Sequence, residues 1–168
     1  MSSEYIDFNN HDINNTSYFS LNGIKTYARL IDVYDGDTII CILPFFNNFY
    51  KFHVRLNDLD TCEIKSKNEE LKNLALLARH KILDLVCKDN KLDLHCTRKE
   101  IQNYLSEDVY TVWLECLSFD KYGRLLANVY ENKESIDSFS TILINLHLGY
   151  HYDGGTKLSE KEQKEHLN

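Results

Sequence analysis

Carboxylates and arginines are concentrated in three short segments of the sequence, and these residue types suit chemistry on a phosphodiester. The segments are Asp35–Thr38, Arg55–Glu63 and Asp120–Arg124. Hydrolysis of a phosphodiester requires a cation on the non-bridging oxygens, donors that match the developing negative charge, and a base that orients the attacking water. Segments of this composition at strand ends and turns are candidates for one shared site, because such positions display functional groups.

Individual residues can be matched to these tasks by their chemistry. Asp37 and Asp60 offer hard oxygen ligands suited to Ca²⁺ or Mg²⁺. Arg55 and Arg124 can hold a phosphate through bidentate hydrogen bonds. Glu63 lies three residues after Asp60, close enough to share the site while pointing at water instead of metal.

Each segment also has a plainer structural explanation when it is considered alone. An Asp-Gly-Asp triplet is most often a turn, a single arginine in a strand is most often solvated, and Asp-x-x-Gly-Arg is most often a hairpin. The occurrence of all three in one chain is what indicates a catalytic site.

Apolar periodicity predicts the elements that carry these segments. Predicted strands cover residues 25–34, 37–43 and 50–57. The dipeptide Asp35-Gly36 lies between the first two strands and predicts a hairpin. A helix is predicted over residues 71–85, where apolar residues recur at helical spacing, and Ser66 with Glu69 fits a capping box before it.

The second half of the chain is predicted to add strands and another helix. Residues 92–96 alternate between apolar and polar types, whereas residues 99–108 are polar and are predicted to form a loop. Two more strands are predicted over residues 109–119 and 124–130. A second helix is predicted from the apolar stripe Phe139, Ile142, Leu143 and Leu146, ending near Gly149.

This order of elements predicts an α+β fold. Five short antiparallel strands with a helix after the third have the layout of an OB-fold barrel. We therefore predict a five-stranded antiparallel OB-fold-type β-barrel with two or three helices over residues 24–157. A flexible N-terminal extension over residues 1–23 and a charged C-terminal tail over residues 158–168 are predicted to flank it.

The three segments resemble the staphylococcal nuclease (thermonuclease) family, in the same order and on matching elements. The resemblance covers roughly residues 25–157. It implies a calcium-dependent endonuclease that hydrolyses DNA and/or RNA and leaves 3′-phosphate ends. Tyrosines beside an OB-type groove suit unstacked bases, so single strands are predicted to be preferred.

The resemblance implies the metal ligands and the base. Asp37 and Asp60 resemble the family's carboxylate ligands to calcium, and Thr61 resembles the residue that offers a backbone carbonyl. Glu63 resembles the general base. Cys62 stands where the family usually has proline, and loss of the stiffer proline should constrain Glu63 less.

The resemblance also implies the groups that contact the substrate. Arg55 and Arg124 resemble the two phosphate-binding arginines. Tyr122 resembles a residue that contacts the nucleotide phosphate. Tyr150 and Tyr152 resemble a pair of tyrosines beside the nucleotide, with packing at the rim of the site as the alternative.

Composition limits the classes of protein. The 168 residues carry a net charge of −7, which argues against binding nucleic acid by bulk charge but not against focusing a few arginines and one cation on a phosphate. Five cysteines without a C-x-x-C, and an N-terminus without a secretory signal, predict an intracellular protein with free thiols. No apolar run approaches the roughly 20 residues of a membrane span. We expect a monomer with DNA and/or RNA as substrate, no membrane association and no obligate protein partner.

Two alternatives to an active nuclease remain open from the sequence. The first is a catalytically weak or inactive nuclease-like module that binds nucleic acid or protein. The second is an OB-fold interaction protein without a nucleic-acid role, which the acidic composition would suit. The presence of both arginines together with all three carboxylates favours the enzyme, because a protein that only binds has no physical need for that cluster.

Overall fold

Five strands close into a barrel in the order β1-β2-β3-β5-β4. The computed structural model describes residues 8–167. The strands are β1 (Lys25–Val33), β2 (Thr38–Phe45), β3 (Asn48–Leu56), β4 (Thr111–Phe119) and β5 (Leu125–Tyr130). The predicted α+β barrel of OB-fold type is confirmed. Alternating apolar residues of all five strands fill its interior.

The barrel is mixed, although the prediction was an antiparallel one. Four neighbouring pairs are antiparallel, whereas β3 and β5 run parallel, with Val54 opposite Leu125 and Leu56 opposite Ala127. A closed ring with an odd number of strands cannot alternate direction at every neighbour. One parallel pair is therefore required, and it brings the end of β3 beside the start of β5.

Four helices lie outside the barrel in the described part of the chain: three within residues 24–157, where two or three were predicted, and one in the predicted C-terminal tail. They are α1 (Glu69–Val86), α2 (Arg98–Ser106), α3 (Phe139–Asn145) and α4 (Glu160–Leu167). Helix α1 begins after Asn68, whose side chain accepts hydrogen bonds from the backbone of Glu70 and Leu71. The predicted cap at Ser66 was wrong. The Ser66 hydroxyl accepts a hydrogen bond from the Asn68 backbone N–H at 3.1 Å, and so stabilises the turn that precedes the helix.

Helix α2 occupies the segment 99–108 that was predicted to be a loop. Thr97 and Glu100 form a capping box at its start. Ile101 and Leu105 are four residues apart, fully buried, and belong to the barrel core. The prediction failed because these are the only two fully buried apolar side chains of the helix, and most of its other residues are polar. Residues 92–96, which alternate between apolar and polar types, form no strand, and residues 94–95 form a turn.

Helix α4 lies within the predicted charged tail and forms a small second core. Leu167 packs there with Leu71 and Ala75 of α1 and with Cys62 of the loop after β3. All five cysteines are free and buried. Cys62 thus ties the loop that carries Glu63 to two helices.

The described part of the N-terminal extension has no helix or strand. Residues 8–20 are exposed, whereas Leu21 is buried in the core and the Gly23 backbone donates to the Cys116 carbonyl at 2.9 Å. The first seven residues of the predicted extension 1–23, and Asn168 of the predicted tail, lie outside the described residues. Between residues 8 and 167, none of the helices has the length and apolar character needed to cross a membrane.

Candidate active site

A cavity of about 800 Å³ opens where β3 ends beside β5. Six of the predicted site residues line it: Asp37, Arg55, Glu63, Tyr122, Arg124 and Tyr152. The other three, Asp60, Thr61 and Tyr150, are buried directly behind this wall. The fold therefore brings together side chains from all three segments singled out in the sequence.

Arg55 joins the two predicted metal ligands. Its Nη1 lies 2.8 Å from Asp37 Oδ2, and its Nη2 lies 3.0 Å from Asp60 Oδ1. All three side chains are at least nine-tenths buried. One guanidinium thus fixes the positions of two buried carboxylates, which would otherwise repel each other.

The first turn is pressed closely against the rest of the site. A Cβ on Gly36 would lie 2.6 Å from Ala78 Cβ and 2.8 Å from Thr61 Oγ1, so only glycine fits there. On the neighbouring strand, Arg55 pairs with Thr38 in the β2–β3 ladder. Asp37, just before Thr38, is thereby held at the guanidinium end of Arg55.

Asp60 is held by backbone and side chain alike. Its backbone exchanges two 3.0 Å hydrogen bonds with Tyr150. The Tyr150 hydroxyl also donates to Asp60 Oδ2. Burial, reinforced by this carboxylate, raises the pKa of the Tyr150 hydroxyl. Tyr150 is only 2% exposed, so it positions Asp60 and presents no ring face to the cavity.

Arg124 is aimed into the cavity by its own turn. Asp120 accepts from the backbone of Tyr122 and Arg124 at 2.9 Å and from Arg124 Nε at 2.8 Å. Gly123, at φ +80°, supplies the left-handed residue that the turn needs. Arg124 Nη1 donates to Thr38 Oγ1 at 3.2 Å, and that hydroxyl donates to Asp37 at 2.7 Å. The two arginines are therefore linked through the same carboxylate.

Glu63 is the most accessible carboxylate of the predicted set. Its side chain is 69% exposed and its Oε1 lies 3.3 Å from Lys157 Nζ. Cys62 beside it is 1% exposed, and burial raises the pKa of its thiol to about 11. Cys62 anchors the loop by packing in the small second core. Glu63, the next residue, faces solvent.

Lys157 is a functional candidate that the sequence did not reveal. Its Nζ lies 3.0 Å from Asp60 Oδ1 as well as 3.3 Å from Glu63. Although burial opposes the charged form, hydrogen bonding and attraction from these two carboxylates raise the pKa of Lys157 above its usual value. Lys157 is more than ninety residues away in sequence from Asp60 and Glu63, and it belongs to no motif. The contact is therefore visible only in the folded structure.

The cavity carries more negative than positive groups. Six carboxylate side chains line it: Asp35, Asp37, Asp58, Glu63, Asp120 and Asp153. Four cationic side chains accompany them: Arg55, Lys121, Arg124 and Lys157. Burial and the neighbouring carboxylate of Asp35 raise the pKa of Asp37 more than Arg55 and Thr38 lower it. The excess of carboxylates opposes the binding of an anionic ligand to the unaided site.

Three oxygen donors of the type that a hard cation prefers lie at the cavity or behind its wall. Asp37 and Asp60 are carboxylate donors, and no described residue donates a hydrogen bond to the Thr61 carbonyl oxygen. No group of three or more His, Cys, Asp or Glu residues able to hold a metal occurs among residues 8–167. Two carboxylates and one carbonyl suit Ca²⁺ when water and phosphate oxygens complete the coordination, and they do not suit zinc.

Comparison with known proteins adds no relative. A scan of the chain against protein-family models and a search of curated proteins both found no match. The resemblance to the staphylococcal nuclease family therefore remains a prediction from the three sequence segments.

Proposed function

We propose that this chain is a calcium-dependent endonuclease that hydrolyses phosphodiester bonds of DNA and/or RNA. The observation that carries the proposal is the Arg55 guanidinium, held 2.8 and 3.0 Å from Asp37 and Asp60 at a cavity that Arg124 and Glu63 also line. A cation, two phosphate donors and a base are what the reaction requires.

The chain's own residues would each perform one part of the reaction. Glu63 orients a water molecule and takes its proton as the water oxygen bonds to phosphorus in line with the leaving group. The bond from phosphorus to the 5′ oxygen breaks, that oxygen takes up a proton, and the 3′-phosphate remains. Arg55 and Arg124 donate to the equatorial oxygens, where negative charge increases most in the transition state.

Asp37, Asp60 and the Thr61 carbonyl would hold the calcium ion. When bound, calcium supplies positive charge for the non-bridging phosphate oxygens. Tyr150 keeps the Asp60 carboxylate in place through its hydroxyl, and Thr38 does the same for Asp37 at 2.7 Å. These hydrogen bonds prepare the carboxylates for a ligand role before any metal arrives.

Two tyrosines at the cavity favour single-stranded substrates. Tyr122 is 73% exposed, with the guanidinium of Arg124 5.7 Å from its ring centre. Tyr152 is half-buried, and the Arg55 guanidinium lies 5.9 Å from its ring centre. Aromatic faces of this kind stack on bases of any identity, provided that the bases are unpaired. Little base specificity is expected.

We expect purified protein to cut single-stranded DNA or RNA faster than duplex of the same sequence at equal salt. The test incubates labelled single strands and blunt duplexes with calcium, with magnesium or with excess chelator, and measures initial rates. Equal rates on blunt duplex would contradict the stacking argument. Full activity in excess chelator would contradict the role given to calcium.

A module that binds without cutting is the second candidate, and one observation favours it. Asp60 Oδ1 contacts Arg55 and Lys157, and its Oδ2 accepts from Tyr150, so protein donors already surround the predicted ligand. Single-strand binding without cleavage under any metal would establish this alternative.

A further inference from the structure

Lys157 occupies the space between a predicted metal ligand and the predicted base. Its ammonium lies 3.0 Å from Asp60 Oδ1 and 3.3 Å from Glu63 Oε1. Lysine carries a positive charge at neutral pH. The two carboxylates therefore share a cation that belongs to the protein itself.

The contacts of Asp60 leave little room for a second cation. Oδ1 is shared by Arg55 and Lys157, both at 3.0 Å, while Oδ2 accepts the Tyr150 hydroxyl. A carboxylate offers about four lone-pair sites, so three of them are engaged. A metal ion that uses Asp60 must displace one of these donors or approach against the positive charge of Lys157.

Of these three donors, Lys157 is the one that can leave. Arg55 and Tyr150 are buried, whereas the Lys157 side chain is 48% exposed. It is carried by the segment between Tyr152 and α4, which has no regular secondary structure and contains Gly154 at φ +95°. A long side chain on such a segment can swing into solvent without disturbing the barrel.

We propose that Lys157 competes with calcium for Asp60, and so sets the metal affinity of the site. The inference rests on the proposed function, because it concerns the metal held by the same carboxylates. In the metal-free protein the ammonium neutralises the pair and holds Glu63 beside Asp60. When calcium binds, Lys157 gives up Asp60. Lys157 is thus a positioning residue, acting through two other side chains.

The test measures calcium affinity by calorimetry on the full chain, without substrate. Lys157→Met keeps the length of the side chain and removes its charge, so calcium should bind roughly tenfold or more tightly. Lys157→Arg keeps the charge and should bind calcium as wild type does. The competition is electrostatic, and the Lys157 side chain is half-exposed. Added salt should therefore screen its charge and reduce the difference in calcium affinity between Lys157→Met and wild type.

Lys161→Met is the matched control, since Lys161 lies on helix α4, its side chain is 86% exposed, and its ion pair among residues 8–167 is with Glu165. Its calcium affinity should equal that of wild type. Equal or weaker calcium binding by Lys157→Met, beside measurable binding by wild type, would overturn the competition and leave the proposed nuclease standing. Absence of calcium binding in wild type and Lys157→Met alike would overturn both.

Discussion

Replacing Arg55 by methionine is expected to lower the free energy of unfolding by about 3–5 kcal/mol, the usual result of removing one partner of a buried ion pair. Arg55 is 5% exposed, and its guanidinium is the group that contacts both Asp37 and Asp60. Without it, two buried carboxylates face each other with their charge largely uncompensated. Urea denaturation followed by circular dichroism would measure the change, which is a large part of the 5–15 kcal/mol typical of a domain.

Lys25→Met is the control for this prediction. Lys25 pairs with Glu115 on the outside of the barrel, with its side chain 59% exposed, so its loss should change stability little. If Arg55→Met were as stable as wild type, the Arg55 contacts with the two carboxylates would contribute nothing to the fold. Calcium should stabilise Arg55→Met if the vacated carboxylates still bind it.

Replacing Arg124 by alanine is expected to lower kcat about a hundredfold or more while KM changes less. Arg124 is held by Asp120 at 2.8 Å and points into the cavity, where it would meet charge that develops only in the transition state. Its side chain is 30% exposed and contributes no core packing, so the variant should fold normally. Steady-state kinetics on a single-stranded oligonucleotide would measure both constants.

Lys121→Ala provides the comparison, because Lys121 lines the same cavity in the same turn, but its ammonium lies over the ring of Tyr122 and forms no ion pair with any described residue. Its main effect should be on substrate binding, and it should appear in KM. A comparable loss of kcat in both variants would mean that the turn acts only through bulk positive charge. An unchanged kcat in Arg124→Ala would remove this arginine from the reaction.

The barrel was predictable because each strand follows a simple physical rule. Alternation in residues 50–57 placed Val54 and Leu56 on one face, and both are buried. The Asp35-Gly36 dipeptide predicted the hairpin that joins β1 to β2, and the pairing of those strands confirms it. Local residue types suffice in these cases, because pleat and turn geometry depend on near neighbours.

Helices held by few side chains were not predictable in the same way. Helix α2 was missed because Ile101 and Leu105 are its only fully buried apolar residues, and its polar residues Arg98 and Gln102 attach it to the buried carboxylate of Asp32. Helix α4 appeared only as charged sequence, since the packing of Leu167 depends on a distant helix. Tertiary contacts decide such segments more than propensity does.

In the candidate site, too, residues in local motifs were predictable, whereas contacts between distant segments were not. Asp37 and Arg124 lie in turns with recognisable residue types, and the cavity contains both. The hydrogen bond from Tyr150 to Asp60 could not be inferred, because the resemblance predicted only a ring beside the nucleotide, with packing at the rim of the site as the alternative. The contact of Lys157 with Asp60 depends on the path of the chain after α3. No local sequence pattern predicts that path.

The most direct test of calcium-dependent hydrolysis compares wild type with Glu63→Gln on a labelled single-stranded oligonucleotide, in excess calcium and in excess chelator. Glu63→Gln keeps the shape of the side chain and removes the base, so its calcium affinity should hold while its rate falls. The mechanism predicts calcium-dependent cleavage to 3′-phosphate ends by wild type, none in chelator, and a large loss in Glu63→Gln. Cleavage by Glu63→Gln at the wild-type rate, or no cleavage by wild type with calcium, would contradict it.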